Sequence, residues 1–126
     1  MVLSVNERTF TPEVLESPTP VLVHFWAPWC GLCRLINPQL ARFQAESVGK
    51  FKLVDINADQ NFKLANTYRL KTLPTIILFE SGQILYRFEH FRGRDDLDTA
   101  LKTILQRYTE SSNYQLLEAL GCNTNS

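Results

Sequence analysis

Cys30 and Cys33 are separated by two residues, at the point where a strand-like run gives way to a helical pattern. The preceding run over 21–27 is apolar, β-branched and aromatic, which is typical of a buried strand. Apolar residues follow the second cysteine at helical spacing: Leu35, Ile36, Leu40 and Phe43. A helix start has unpaired N–H groups and partial positive charge, which stabilise a thiolate. The pattern therefore predicts a redox-active dithiol at a helix start.

Thiol–disulfide exchange requires an accessible thiolate, a second thiol that releases the mixed disulfide, and a groove that presents the target cysteine. We expect Cys30 to be the more exposed sulfur and therefore the nucleophile, with Cys33 as the resolving thiol. The alternative is a zinc or iron–sulfur site. A closed zinc site needs a full set of ligands, and the third cysteine, Cys122, is far away in sequence. We therefore predict no metal and no bound cofactor.

The elements that position this pair follow from apolar patterns and turn residues. Strands are predicted over 2–5, 21–27, 51–57, 75–80 and 84–89. Helices are predicted from Asn6 or Thr9 to about 16, from Cys33 to about 47 with a kink at Pro38, near 62–68, and over 94–108. Long strand–helix–strand crossovers imply parallel neighbours, whereas Ser81-Gly82 indicates an antiparallel hairpin. Together these elements predict an α/β fold with a central mixed β-sheet flanked by helices on both faces.

Residues 110–126 are predicted to form a short C-terminal extension beyond a domain of residues 1–109. The polar stretch 110–113 indicates a break, and apolar spacing then predicts an extra short C-terminal helix over 113–120, ended by Gly121. The favoured interpretation is a small helix packed on the domain. The alternatives are a partner-binding helix that contributes the Cys122 thiol, and disorder.

Bulk properties exclude several classes of function. The chain has 126 residues, 44% of them hydrophobic, which suits one globular domain. Its 13 Lys and Arg balance 13 Asp and Glu, so no basic field favours nucleic acid or an anionic membrane. Residues 1–7 lack the features of a signal peptide, and no apolar run is long enough to span a membrane. We expect a cytoplasmic protein, acting as a monomer, whose cysteines serve catalysis rather than structure.

Several segments carry a resemblance to one family. Trp29-Cys30-Gly31-Leu32-Cys33-Arg34 resembles the thioredoxin active-site hexapeptide, and Phe25-Trp26-Ala27 resembles that family's approach strand. Thr72-Leu73-Pro74-Thr75 is similar to the segment that carries the family's cis-proline, and Gly82 matches its last hairpin. The likeness covers roughly residues 2–109. It implies a thioredoxin-like fold for this α/β pattern.

The resemblance also implies a target groove beside the dithiol. In the family Trp29 borders that groove, and Gly31 and Leu32 would contact the target with it. Pro74, if cis, would present the backbone around Leu73 to an incoming peptide as a short strand-like partner. The alternatives are plain core packing for the tryptophan and an ordinary turn for the proline.

Two departures from the family pattern lie within the hexapeptide. Leu32 replaces the usual proline, which stiffens the turn between the sulfurs, so an altered reduction potential is expected. Arg34 replaces the usual lysine and keeps the positive charge. The Leu32 change is expected to alter the reducing strength, whereas the Arg34 change is conservative.

A third departure concerns His24 and Asp55. Where thioredoxins have a buried aspartate and, on the next strand, a lysine, this chain has a histidine and an aspartate. We predict that the two interact beneath the dithiol, with Asp55 orienting His24 as the acceptor of the Cys33 proton. The alternative is a satisfied core histidine without a catalytic role.

A fourth departure, His90-Phe91, falls where the family has a small glycine-containing loop beside the active site. Bulky side chains there should narrow the groove, with His90 contacting the target, so we predict weak activity on general protein disulfides and restricted targets. The alternative is a plain surface loop in which Gly93 takes over the role of the missing glycine after a local shift.

The resemblance thus implies an atypical thioredoxin: a thiol–disulfide oxidoreductase that takes part in electron transport and cell redox homeostasis. Its partners would be disulfide-containing protein substrates and a thioredoxin reductase, either NADPH- or ferredoxin-linked. The alternative is a thioredoxin-fold protein-binding module with little general reductase activity, which the altered groove favours and the intact dithiol disfavours. Metal or cluster carriage by a cysteine-bridged dimer is a third hypothesis.

Overall fold

The structure, a computed structural model, describes residues 2–47 and 49–119, with side chains as far as residue 108. The strands are β1 (Val2–Ser4), β2 (Val21–Trp26), β3 (Lys52–Asn57), β4 (Thr75–Glu80) and β5 (Gln83–Phe88). The helices are α1 (Gly31–Glu46), α2 (Phe62–Thr67) and α3 (Arg94–Ala119). Short π and 3-10 turns cover Thr11–Leu15 and Ala58–Gln60. No helix in this described part is both long and apolar enough to cross a bilayer.

The strands form one mixed sheet in the order β1-β3-β2-β4-β5. β3 runs parallel to both β1 and β2, whereas β4 is antiparallel to β2 and to β5. The β4–β5 hairpin turns at Ser81 and Gly82, whose φ values of 52° and 79° are left-handed. Such a turn suits the right-handed twist of the strands it joins. The predicted mixed sheet, parallel pair and hairpin are therefore confirmed.

Buried side chains form a core on each face of the sheet. The first face is covered by the 11–15 turn and α2, and its core includes Phe10, Val14, Val23, Phe25, Leu64 and Phe79. The second is covered by α1 and α3, and its core includes Leu22, Ile36, Leu40, Leu53, Leu97 and Ile104. Side chains alternate along a strand, so His24 falls on the second face with Leu22. Helices on both faces are thus confirmed.

The first predicted helix is shorter than expected. Helical structure covers only Thr11–Leu15, instead of running from Asn6 or Thr9 to residue 16. The reason is that Asn6 caps a separate turn, because its Oδ1 accepts the backbone N–H groups of Arg8 at 2.8 Å and Thr9 at 3.2 Å.

The last helix is longer than expected. α3 runs from Arg94 to Ala119 without the predicted break at 110–113, so the extra C-terminal helix continues α3. Glu favours a helix, Ser and Asn disfavour one only modestly, and the stretch contains no glycine or proline to end a helix. Gly121 and Cys122 lie outside the described residues.

Candidate active site

Cys30 and Cys33 form a disulfide at the start of α1, with their Cα atoms 5.3 Å apart. Cys30 is the N-cap residue, and its Sγ accepts the backbone N–H of Cys33 over 3.1 Å. The sulfur therefore lies at the positive end of the helix, where developing negative charge is stabilised. Cys30 is 5% exposed and Cys33 is 0% exposed, which confirms the predicted order of exposure.

A tight turn carries the chain from β2 into α1. The N–H of Cys30 donates to the carbonyl of Ala27 over 3.0 Å, which closes the turn. Nη1 of Arg34 donates to the carbonyl of Pro28 over 3.0 Å. Arg34 thus holds its positive charge beside the turn.

Trp29 lies on the surface beside the dithiol. It is 67% exposed, which rules out core packing, and its Nε1 donates to Oδ2 of Asp59 over 2.9 Å. Asn57 holds Asp59 in turn, because its Oδ1 accepts the Asp59 N–H over 2.9 Å. Sequence reasoning missed Asp59 as a site residue. Its position just after β3 could have indicated this role. The parallel strands β2 and β3 end at the same edge of the sheet, and the dithiol turn follows β2.

The segment around Pro74 has the geometry that the resemblance implies. The Leu73–Pro74 peptide bond is cis, and Pro74 is buried while Leu73 is half-buried. Oγ1 of Thr75 donates to the carbonyl of Thr72 over 2.7 Å, which closes the turn around the proline. The role of this segment in target binding stays a prediction.

His24 and Asp55 lie together, as the sequence predicts. They are register partners on β2 and β3, and His24 Nδ1 is 3.3 Å from Asp55 Oδ1. The distance is that of an ion pair, yet neither ring nitrogen has a hydrogen-bond partner among the described residues. His24 is 0% exposed, whereas the Asp55 side chain is 26% exposed. The catalytic role of His24 stays a prediction.

His90 lies in the loop after β5 in a left-handed conformation, with φ of 61°. Gly93 is not among the left-handed glycines, and the alternative of a plain surface loop stays open. The His90 side chain is 62% exposed, and its Nε2 is 3.8 Å from Oε1 of Glu89. Phe91 is half-buried and packs on the α1/α3 core, so of the His90-Phe91 pair only His90 is exposed.

The remaining predicted groove residues differ in exposure. Gly31 is exposed, with open space around the position of a Cβ atom, whereas Leu32 is half-buried against the α1/α3 core. Within the described residues no group of three or more His, Cys, Asp and Glu side chains could hold a metal ion.

Comparison with known proteins identifies relatives of this chain. The family model for thioredoxin matches residues 1–104. Thioredoxin 1 of Nostoc sp. is 44% identical over 79 residues, which cover 63% of this chain and 74% of that protein. The chloroplastic M-type thioredoxin of Chlamydomonas reinhardtii is 45% identical over 80 residues, 64% of this chain and 57% of that protein. The chloroplastic thioredoxin M5 of Oryza sativa is 37% identical over 110 residues, 87% of this chain and 62% of that protein.

Proposed function

This chain belongs to the thioredoxin family, and we propose that it is a thiol–disulfide oxidoreductase that acts on protein disulfides. The observation that supports this most strongly is the Cys30–Cys33 disulfide, with the Cys30 sulfur at the amino end of α1. The more exposed sulfur is also the one that the helix polarises. This arrangement supports attack by Cys30 on a target and closure of the disulfide by Cys33.

The reaction consists of two exchanges. The Cys30 thiolate attacks one sulfur of a target disulfide, forms a mixed disulfide and releases the other target sulfur as a thiolate. The Cys33 thiolate then attacks Cys30 Sγ, which releases the second target sulfur and leaves the Cys30–Cys33 disulfide. The target gains two electrons and, from its surroundings, two protons. A thioredoxin reductase, NADPH- or ferredoxin-linked, would return the electrons.

His24 is the group that we propose as acceptor of the Cys33 proton. Its burial on the face that α1 covers, with no hydrogen-bond partner among the described residues, supports this role. Asp55 beside Nδ1 would orient the ring and stabilise its positive charge. An imidazole suits proton transfer near neutral pH, because the ordinary pKa of a histidine side chain lies there.

We also propose an altered reduction potential and a restricted set of targets. Leu32 lies between the two cysteines in sequence, where the family has proline. His90 adds an exposed imidazole to a loop that is hydrogen-bonded to Thr72, two residues before Pro74. The imidazole would crowd the groove and exclude targets with bulky side chains next to the attacked cysteine.

The function is tested by insulin reduction with dithiothreitol as electron donor. We expect slow but measurable turnover by the wild-type protein, and none by Cys30→Ser. Cys33→Ser should accumulate a mixed disulfide with insulin that mass spectrometry detects. Turnover by Cys30→Ser equal to that of the wild type would refute the proposal. Full activity, equal to that of an ordinary thioredoxin, would refute only the restricted target set.

The cytoplasm is the compartment that we propose, on the sequence pattern alone. Its reducing conditions would keep the dithiol reduced between turnovers. Cell fractionation with an antibody against this chain tests the location, and recovery from an organelle instead would contradict it.

A further inference from the structure

Arg87, near the end of β5, contacts the segment that leads into Pro74. Its Nη1 donates to the carbonyl oxygen of Tyr68, and its Nη2 donates to that of Arg69 over 3.0 Å. Tyr68 is the C-cap residue of α2, where backbone oxygens lack partners within the helix. The guanidinium therefore satisfies the end of α2 and joins the segment 68–74 to the sheet.

Glu89 fixes the orientation of that guanidinium. Its Oε2 accepts from Nη2 of Arg87 over 3.1 Å and from Nε over 3.3 Å. The two side chains are only 27% and 26% exposed. Charge-assisted bonds to a planar group restrain a long side chain better than one solvated ion pair does.

A second contact joins the same two stretches of chain. The backbone N–H of His90, just after β5, donates to Oγ1 of Thr72 over 3.3 Å. The Thr72 carbonyl in turn accepts the Thr75 hydroxyl over 2.7 Å. The segment 68–74 is thus anchored at its start by Arg87 and near its end by the His90 loop.

We propose that Arg87 is a positioning residue for target binding, because it holds the backbone around Leu73 in the conformation that a target peptide pairs with. The inference rests on the proposed function, in which Leu73 and Pro74 form part of the target groove. A peptide that pairs with an already ordered segment avoids the entropy loss of ordering it. Without Arg87 that loss accompanies each binding event, so affinity for protein targets falls.

The test compares wild type and Arg87→Ala on insulin and on cystamine, a small disulfide that needs no peptide-binding groove. We expect the KM for insulin to rise about tenfold, the cost of ordering roughly one residue. The kcat for insulin and the rate with cystamine should not change. Arg87→Lys, which keeps the charge and one donor group, should recover part of the affinity. Arg42→Ala, which removes an exposed arginine from α1, is the matched control.

Two further measurements test the proposal if a variant folds poorly or reduces insulin slowly. Thr72→Val removes the acceptor of the His90 N–H without altering Arg87, and it should also raise the KM for insulin. Hydrogen exchange of peptides within 66–74 should be faster in Arg87→Ala than in wild type. An unchanged KM in both variants, or unchanged exchange in Arg87→Ala, would overturn the proposal.

The outcomes separate this inference from the proposed function. A wild-type protein that reduces neither insulin nor cystamine contradicts the proposed function itself. If the wild-type protein is active and Arg87→Ala loses cystamine and insulin reduction in parallel, only the positioning role is contradicted. In that case the substitution would have changed Cys30 reactivity instead of target binding.

Discussion

The indole Nε1 of Trp29 donates a hydrogen bond to the Asp59 carboxylate over 2.9 Å, although the tryptophan is 67% exposed. The orientation of a ring adjacent to Cys30 in sequence is therefore set by a residue that follows β3. Because both strands β2 and β3 end at this edge, the contact joins the dithiol turn to the neighbouring strand.

Asp59→Ala should free the Trp29 ring. Time-resolved fluorescence anisotropy, measured in a Trp26→Phe background so that only Trp29 emits, should decay faster in the variant. The free energy of unfolding should fall by less than about 1 kcal/mol, because the bond is solvent-exposed. Asp59→Asn, which keeps an oxygen acceptor, is the control. Identical anisotropy decays for Asp59→Ala and its parent would show that the bond does not restrain the ring.

His24→Gln should slow release of the mixed disulfide. Loss of a general base typically costs about a hundredfold or more, so we expect such a loss in the rate of Cys33 attack between about pH 6 and pH 8. Attack by Cys30 on the target should not change, because His24 does not act in that step. His90→Gln is the control, since these are the two histidines of the chain. A normal rate of resolution in His24→Gln would leave His24 without a catalytic role.

His90→Gly should stabilise the protein. A left-handed φ of 61° is unfavourable for a residue with a Cβ atom, so glycine should raise the free energy of unfolding by about 1 kcal/mol. Urea unfolding measures the difference. Gly93→Ala, at a glycine without left-handed φ and with open space around it, should not destabilise through strain. A lower urea midpoint for His90→Gly would contradict this account of the loop.

The contact of Tyr108 with Glu80 predicts a loss of stability in strong base. Burial, the Glu80 charge and the hydrogen bond from Tyr108 OH to Glu80 Oε1 at 3.2 Å together raise the pKa of Tyr108 to about 12. A phenol whose pKa is raised by folding stabilises the fold below its ordinary pKa near 10, and that contribution is lost as pH rises toward about 12. Wild type should therefore lose more stability than Tyr108→Phe over this range. Parallel pH profiles of the urea midpoint would contradict the prediction.

The sequence predicts the dithiol and its strand-to-helix setting because those signals are local. The apolar run before Cys30, the helical spacing after Cys33 and the Ser81-Gly82 turn each act over a few residues. The pairing of His24 with Asp55 also followed, because it depends only on two adjacent parallel strands being in register.

Other features depended on contacts that local patterns do not encode. The continuity of α3 through 110–113 was missed because polar residues of modest helix propensity allow either a break or a helix. The role of Arg87 depends on where the end of α2 lies in space, and a single arginine on an edge strand carries no sequence signal of it. The left-handed His90 was unpredictable because non-glycine residues rarely adopt that conformation.

The most direct test of the central claim is a redox titration of the Cys30–Cys33 pair against glutathione, with thiols counted by alkylation and mass spectrometry. The proposed exchange function predicts one reversible two-electron transition, with a midpoint between about −270 and −120 mV, that is absent from Cys30→Ser. If both thiols were alkylated at every potential, or if the disulfide resisted reduction throughout, the pair would not cycle and the exchange mechanism would be wrong.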